Sequence, residues 1–367
     1  MPVHSMSAST ALVDATWGER PRILIIRRDN IGDLVCTTPA LTLLRRRYPE
    51  AYLAALVNSY NAPVLHRNPD VNEVFSYVKG KHVTPGGTRL AAWLGKWRLM
   101  RAIRAARFDV AIVAATLPTP GWIRLARASG ARHVLAAVPA DGPVPRGVTL
   151  PVRRERGFEE RHMVEQIASL LGPLGIGEAP PALSVYPDAA VSASIVEALR
   201  GIGSTSALRI GVHISARKPR QRWPTERFPR LMTALHEATG CGFALFWAPG
   251  PAGDPRHPGD DEKAAAIVSA CKGLPLVQLA THTLDELIAG LAAVDALICS
   301  DGGAMHLAAA LGKPIVCFFG NSDPQTWRPW GVPHKVLQSS AEDVSDVTVE
   351  QARNAALELL SRTELTA

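Results

Sequence analysis

Short apolar runs alternate along the chain with segments in which apolar residues recur every three or four positions, the spacing of a helix face. Each run is nearly continuous in apolar character and is followed by turn residues, which is typical of strands buried on both faces of a parallel sheet. The runs predict strands at residues 22–26, 51–57, 110–114, 134–137, 210–214, 243–247, 276–279, 296–299 and 315–319. This alternation indicates an α/β protein with parallel sheets covered by helices.

A segment rich in Gly, Pro and Ser interrupts the alternation between about residues 172 and 206. Such segments commonly join domains, and 367 residues are too many for one ordinary core but suit two. We therefore expect an N-terminal domain over residues 1–175, a linker over 176–205 and a C-terminal domain over 206–367. The two halves are expected to face each other across a cleft, and the last helix is expected to pack back on the N-terminal domain.

The first candidate site is the turn Asn30-Ile31-Gly32-Asp33, which follows the carboxyl end of the first predicted strand. Open α/β sheets bind ligands at such positions. Gly32 would let the chain turn tightly and leave space for a ligand. Asp33 has two interpretations: it is a functional carboxylate, or it is the ordinary cap of the following helix, where Asp is common.

The second candidate site is the turn Asp301-Gly302-Gly303, which follows another predicted strand, with a helix predicted to begin near Ala304. The free N–H groups and the dipole of a helix start attract phosphate, and two glycines would let a diphosphate approach the backbone. His306, in the first helical turn, could hydrogen-bond the same ligand. The alternative is an ordinary strand–turn–helix corner with a structural histidine.

Two further segments follow strands on the same predicted edge. A basic segment lies between the strand at 210–214 and a helix start predicted near Pro224, and it contains Arg217, Lys218, Arg220 and Arg222. These cations could clamp phosphates, or they could form only a solvated surface. The polar loop at residues 321–331 could shape a pocket for a base or a sugar, or merely pack.

The charge balance suggests an anionic partner. Lys and Arg number 40 against 33 Asp and Glu, a net charge of +7, which fits nucleic acid, a phosphorylated substrate or an anionic membrane surface. None of the usual motifs that read nucleic acid accompanies this charge, so nucleic acid is not expected as a partner. The five cysteines are odd in number and include no CxxC pair, which indicates a reducing compartment and no zinc or disulfide framework.

Neither a signal peptide nor a membrane span is expected. Residues 1–20 have no long apolar run behind a basic start, and no uncharged apolar stretch reaches about 18 residues. A predicted helix at residues 90–107 nevertheless resembles an interfacial membrane helix, because tryptophans and cations share one side at 100° per residue. The predicted acceptor or membrane contacts on that side are Trp93, Trp97, Arg101 and Arg104, joined there by Met100. The alternative is that the tryptophans pack on neighbouring loops and the arginines are solvated.

Four segments, in this order, resemble glycosyltransferase family 9, the ADP-heptose:lipopolysaccharide heptosyltransferases. They are "ILIIRRDNIGDLVCTTPALTLLRRRYP", "NPDVNEVF", "RWPTERF" and "SDGGAMHLAAALGKPIVCFFGNSDP". The resemblance implies the GT-B architecture, two Rossmann-like parallel-sheet domains facing across a cleft. It also implies that the N-terminal half handles the acceptor and the C-terminal half the nucleotide sugar, with inversion at the anomeric centre and without a metal or other cofactor.

Position by position, the resemblance makes Asp33 the catalytic base. It places the donor-binding loop at Asp301, Gly302, Gly303, Ala304 and His306. Two positions depart from the family pattern: Gly302 stands where the family usually has Thr, and Gln221 stands where it has a phosphate-binding Lys. Candidates to replace that Lys are Arg217, Lys218 and Arg220, and the sequence leaves the choice among them open.

The sequence thus predicts an inverting glycosyltransferase that moves heptose from ADP-heptose onto a lipopolysaccharide core acceptor. The expected partners are the nucleotide sugar, the anionic glycolipid acceptor and the inner-membrane surface, with the protein cytoplasmic and peripheral at the inner face of the cytoplasmic membrane. Three alternatives remain open. They are a family member with another nucleotide sugar or acceptor, a GT-B-like nucleotide-sugar epimerase, and a non-catalytic nucleotide-binding module.

Overall fold

The computed structural model describes residues 17–77, 89–202, 208–254 and 258–364. The chain divides into two compact units, Met1–Ser184 and Val185–Ala367. The boundary falls within the predicted linker at 176–205, whereas the predicted start of the C-terminal domain at residue 206 lies outside the described residues. Residues 1–16, most of the stretch considered for a signal peptide, also lie outside them.

The N-terminal unit is built on a parallel sheet whose described strands have the order β3-β2-β1-β4-β5-β6. The strands are β1 (Arg22–Ile26), β2 (Tyr52–Asn58), β3 (Glu73–Tyr77), β4 (Val110–Val113), β5 (His133–Val138) and β6 (Leu150–Arg153). The helices are α1 (Ile31–Val35), α2 (Thr38–Arg47), α3 (Arg89–Ala105), α4 (Pro120–Ala128) and α5 (Met163–Ser169). Central β1 and β4 are almost wholly buried, because helices cover both faces of the sheet.

The C-terminal unit has a second parallel sheet, in the order β12-β11-β10-β7-β8-β9. Its strands are β7 (Arg209–His213), β8 (Gly242–Trp247), β9 (Leu276–Ala280), β10 (Ala296–Ser300), β11 (Ile315–Phe319) and β12 (His334–Gln338). Its helices are α6 (Ala189–Ala198), α7 (Arg227–Thr239), α8 (Asp261–Ala270), α9 (Leu284–Ala292), α10 (Gly303–Ala310), α11 (Pro324–Trp327) and α12 (Val349–Glu364).

The two sheets have the same topology. Counted from the first strand of each unit, both have the doubly wound order of a Rossmann-like fold, and the order reverses between the first and the fourth strand. The reversal lies between β1 and β4 in one sheet and between β7 and β10 in the other. Ligands of open α/β sheets bind at the carboxyl ends of the strands at this switch point.

The predicted α/β class with two Rossmann-like parallel sheets is confirmed. Every strand predicted from an apolar run is present, with bounds that differ by no more than one residue at either end. The strands without a prediction are β3, β6 and β12, and all three lie at sheet edges. Each contains at least one exposed position and at most one fully buried residue, so no continuous buried apolar run marks these strands.

Two helix bounds differ from the prediction. The helix predicted to start near Pro224 starts at Arg227, because the Arg227 amide donates to the Pro224 carbonyl at 3.1 Å and closes a turn first. The helix predicted at residues 90–107 ends at Ala105, since the backbone of Arg107 takes a φ of 51°, outside the right-handed helical region. No described helix is both long and apolar enough to cross a membrane.

The core of the C-terminal unit centres on Trp223, which is 1% exposed. Its ring packs against Phe228 and Phe318, and its indole N–H donates to the Val347 carbonyl at 2.8 Å. The last helix, α12, packs on α7 and β12 of its own unit. The predicted packing of this helix on the N-terminal domain stays a prediction.

Two helix glycines provide a matched test of packing in α9. A Cβ at Gly290 in α9 would lie 2.5 Å from Cε1 of Phe246, whereas a Cβ at Gly95 in α3 would have no neighbour within 4 Å. We expect Gly95→Ala to stabilise its helix by up to about 1 kcal/mol. Gly290→Ala should instead destabilise the protein by about 1–3 kcal/mol through overpacking. Thermal unfolding of both variants checks this, and shifts of the same sign would contradict the packing around Phe246.

Candidate functional site

Asp33 is the third residue of α1, and four residues separate the end of β1 from the start of this helix. Its Oδ1 accepts from Nη2 of Arg27 at 2.7 Å, and its Oδ2 accepts from the backbone N and Nδ2 of Asn30 at 3.0 and 3.1 Å. The Asp33 side chain is 14% exposed. Both oxygens are therefore held in fixed directions by hydrogen bonds while part of the carboxylate remains accessible.

Asp33 takes part in capping α1, as one interpretation predicted, but it is not the N-cap residue itself. Asn30 is the N-cap of α1, and Asp33 returns a hydrogen bond to its backbone in a capping box. The prediction of a tight turn at Gly32 is wrong, because Gly32 is the second residue of α1. Only one oxygen of this carboxylate takes part in capping, because the other oxygen is paired with Arg27.

Arg27 fixes Asp33 across the switch point of the N-terminal sheet. Its side chain is almost wholly buried, and its guanidinium donates both to Asp33 and to the Ala114 carbonyl, the residue directly after β4. Its Nε lies 3.5 Å from a carboxylate oxygen of Asp29. One buried cation therefore links the residues that follow the two strands bordering the reversal.

Two buried asparagines hold the backbone that leads to Asp33. Nδ2 of Asn58, at the end of β2, donates to the carbonyls of Arg28 and Asp29 at 3.3 and 2.9 Å. Nδ2 of Asn61 donates to the carbonyls of Asp29 and Asn30 at 3.3 and 3.4 Å. Sequence reasoning missed both residues, although two asparagines at and just beyond the end of a strand were a visible signal.

Arg28 is a second residue that sequence reasoning missed. Its Nε donates to the hydroxyl of Tyr77 at 2.6 Å, and its guanidinium lies 5.4 Å from the Tyr77 ring centroid and 5.8 Å from that of Trp122. No carboxylate among the described residues pairs with it. The two aromatic rings therefore hold the Arg28 guanidinium in place near the start of α1, the helix that contains Asp33.

Asp301 lies at the switch point of the C-terminal sheet, directly after β10, the fourth strand of that unit. Its Oδ2 accepts from Nε2 of Gln221 at 2.7 Å, and its amide donates to the Phe318 carbonyl at 2.9 Å. Burial raises the pKa of the Asp301 carboxyl, while a hydrogen bond to Ser322, the charge of Lys218 and the Gln221 bond oppose that rise. Gln221 lies in the segment after β7, and Asp301 directly follows β10. Their hydrogen bond therefore joins the connections that follow the two strands at the reversal of the C-terminal sheet.

The helix predicted near Ala304 is confirmed as α10, with Gly302 as its N-cap. The N-cap residue Gly302 has no side chain that could cap this N-terminus, whereas α9 has a capping box and α11 is capped by Asp323. His306 is 2% exposed, and its ring meets that of Trp327 edge-on at 6.0 Å. The polar loop at 321–331 therefore packs on α10, and the predicted contact of His306 with a ligand stays a prediction.

The basic segment separates into an inward-facing amide and outward-facing cations. Gln221 is 6% exposed, while Arg217, Lys218 and Arg220 are exposed. The charge of Lys218 acts on Asp301, whereas that of Arg220 acts on Asp343. A Cβ at Gly320 would overlap the Arg220 carbonyl oxygen, so this glycine lets the loop after β11 approach the segment.

The helix predicted at 90–107 presents its two tryptophans to solvent. Trp93 is 60% and Trp97 47% exposed, and the Arg101 guanidinium lies 5.3 Å from the Trp97 ring centroid. Arg104 donates from Nε to the Ala128 carbonyl at 2.9 Å, so one of its hydrogen-bond donors is already bonded within the N-terminal unit. Placing Met100 on this exposed side was wrong, because it is partly buried against the core.

Among the residues that the structure describes, the acidic, histidine and cysteine side chains show no clustering suited to a metal ion. Within residues 17–77, 89–202, 208–254 and 258–364, no three of them are grouped as metal ligands would be. All five cysteines are buried, and none of them forms a disulfide.

The chain is similar to several known heptosyltransferases. It is 25% identical over 331 residues to lipopolysaccharide heptosyltransferase 3 of Escherichia coli, covering 88% of this chain and 90% of that protein. A glycosyl transferase family 9 structure from Veillonella parvula superposes with a TM-score of 0.79 at 22% identity, covering 93% and 97% of the two chains. The structure of E. coli ADP-heptose lps heptosyltransferase II gives 0.71 at 22%, covering 94% and 99%. These structural likenesses confirm the GT-B fold.

A family model described as glycosyltransferase family 9 (heptosyltransferase) matches residues 96–356. The match includes the basic segment, Asp301 and α10, and it begins after Asp33. It covers well over half of the chain. The chain therefore belongs to glycosyltransferase family 9, the heptosyltransferase family.

Proposed function

We propose that this family 9 protein transfers heptose from ADP-heptose to an anionic lipopolysaccharide core acceptor, with inversion at the anomeric carbon and without a metal. The observation that carries the proposal is the Asp33 carboxylate, partly accessible and held by Arg27 at the switch point of its sheet. The choice of ADP-heptose and of the acceptor class is supported by the names of the similar heptosyltransferases.

Asp33 acts as the general base in this proposal. A sugar hydroxyl is a poor nucleophile until its proton leaves, and a carboxylate at hydrogen-bonding distance can take that proton during attack. Each carboxylate oxygen has two acceptor sites, so the bond from Arg27 to Oδ1 leaves one free. The acceptor oxygen bonds to the anomeric carbon as the bond to the diphosphate oxygen breaks, and the proton passes to Asp33. A single displacement of this kind inverts the carbon.

The donor diphosphate binds the C-terminal unit in this proposal. Its charge, which grows as ADP leaves, is met by the uncapped N-terminus of α10 at Gly302, Gly303 and Ala304, beside Asp301 and His306. Among the cations of the basic segment, Arg217, Lys218 and Arg220, we assign to Lys218 the role of the family's phosphate-binding Lys. Its charge acts on Asp301, next to the helix start, whereas Gln221 is occupied as the partner of Asp301.

Contact with the membrane surface is assigned to α3. The helix carries several cations and no acidic residue between Arg89 and Ala105, and Trp93 and Trp97 are exposed beside Arg101. Amphipathic aromatic rings among cations suit the interface of an anionic membrane. The protein would then work in the cytoplasm, at the inner face of the cytoplasmic membrane where a glycolipid acceptor is anchored, with Arg104 contributing charge from the same side.

The test of the proposed function is a transfer assay with a matched pair of aspartate variants. Asp109, directly before β4, is 13% exposed, accepts from the Arg22 amide at 2.8 Å and pairs with Arg132 at 3.3 Å. Asp33→Asn and Asp109→Asn therefore remove similar interactions at opposite ends of the sheet. Asp33→Asn should lower turnover with saturating ADP-heptose and acceptor by at least about 10²- to 10⁴-fold, while ADP affinity stays close to that of the wild type.

The control variant, Asp109→Asn, should retain turnover despite a comparable loss of stability. Transfer is followed by ADP release together with the mass increase of the acceptor, and a donor-only incubation is run in parallel. Near-wild-type turnover of Asp33→Asn would contradict the role of the base. Conversion of the sugar nucleotide without an acceptor would instead identify an epimerase, and transfer only from another nucleotide sugar would correct the donor.

The membrane assignment is tested with two charge reversals on one helix. Arg101→Glu lies on the tryptophan side of α3, whereas the exposed Arg98 lies off that side. Each cation near an anionic surface contributes about 1 kcal/mol, so Arg101→Glu should weaken binding to anionic lipid vesicles roughly tenfold or more at low salt. Arg98→Glu, with the same change in net charge, should weaken it less. Equal effects in a vesicle sedimentation assay would show that only net charge matters.

A further inference from the structure

Lys263 is a cation that no sequence motif contains, yet it contacts the basic segment at both ends. It is the third residue of α8, and its Nζ donates to the Ile214 carbonyl at 2.9 Å and to the Trp223 carbonyl at 3.4 Å. Ile214 directly precedes residues 215–222, and Trp223 directly follows them. One side chain therefore joins the two ends of the segment.

Two further side-chain bonds hold the same segment near its ends. Nε2 of Gln221 donates to Asp301 at 2.7 Å, and Nε of Arg222 donates to the Ala216 carbonyl at 3.0 Å. The exposed cations of the segment, by contrast, project outward. A loop that is tied at both ends presents its outward cations in a defined arrangement.

The surroundings of Lys263 make its charge sensitive to pH. The ammonium lies 4.8 Å from the Phe228 ring centroid, and burial lowers the pKa of Lys263 to about 8. The charge of Asp260 favours the ammonium, and that of Arg222 opposes it. The neighbouring His213 is uncharged at neutral pH, since burial and the charge of Lys263 lower its pKa to about 4.

We propose that Lys263 is a positioning residue for the donor diphosphate: by tying Ile214 to Trp223, its ammonium fixes the segment from which Arg217, Lys218 and Arg220 reach the phosphates. The inference rests on the proposed function, because it presumes that this segment binds a nucleoside diphosphate. Lys263 contacts the carbonyls of the segment and acts on the ligand only through it. Its loss should therefore weaken nucleotide binding and leave the chemical step at saturating donor nearly unchanged.

The first experiment measures the affinity for ADP by calorimetry in three proteins at pH 7. Lys263→Met removes both hydrogen bonds and the charge, while Lys272→Met removes an exposed lysine just beyond the end of the same helix. We expect Lys263→Met to bind ADP about tenfold more weakly, the effect of losing one hydrogen bond to a charged group. Lys272→Met should bind like the wild type, and kcat with saturating donor should change less than twofold or so in both variants.

The second experiment follows ADP affinity from pH 7 to 9.5. The ammonium is present below a pKa of about 8 and is lost as the pH rises through it, so the affinity of the wild type should fall across this range. Lys263→Arg keeps its charge, because guanidinium does not titrate there, and its affinity should stay nearly constant. This profile remains informative even if Lys263→Met does not fold.

The outcomes separate this inference from the proposed function. A wild type that binds no ADP overturns the proposed function itself. A wild type that binds ADP, with Lys263→Met binding equally well, overturns only the positioning role. The same conclusion follows if the pH profiles of the wild type and Lys263→Arg coincide.

Discussion

Where the strand order of a doubly wound sheet reverses, the connections on the two sides leave toward opposite faces and open a crevice at the carboxyl ends of the strands. Both sheets of this protein have such a reversal, and a carboxylate lies at each one. Asp33 follows β1, and Asp301 follows β10. In each case one side chain joins the carboxylate to the strand end across the reversal. Arg27, from the same connection as Asp33, also donates to the residue after β4, and Gln221 extends from the loop after β7 to Asp301.

The two carboxylates have different surroundings, which suits different tasks. Asp33 has an arginine on one oxygen and amide donors on the other, and part of it remains accessible. Asp301 is bonded to the neutral side chain of Gln221, and burial raises its pKa. Proton transfer needs an accessible, oriented carboxylate. A phosphate site needs free N–H groups and cations, and these lie beside Asp301, at the uncapped start of α10 and along residues 217–222.

Much of this could be predicted from the sequence because buried parallel strands leave continuous apolar runs. The edge strands β3, β6 and β12 could not, since each has a solvent-facing side. Asp33 and Asp301 were predicted because each lies in the connection that follows a strand, Asp301 directly after it. Their partners were harder to predict. Arg27 is near Asp33 in sequence, but its bond to the carbonyl of Ala114 depends on strand order, and Lys263 reaches Ile214 from 49 positions away. Long-range contacts of this kind leave no local pattern.

The central claim is that the C-terminal switch point binds the nucleotide while the N-terminal one supplies the base. Hydrogen–deuterium exchange with and without saturating ADP tests it most directly, because bound ligand slows exchange of the amides that it contacts or stabilises. The account predicts slower exchange at Gly303 and Ala304 and across residues 217–222, with little change at residues 27–35. Slowing confined to residues 27–35, or unchanged exchange at Gly303 and Ala304 despite measurable ADP binding, would contradict it.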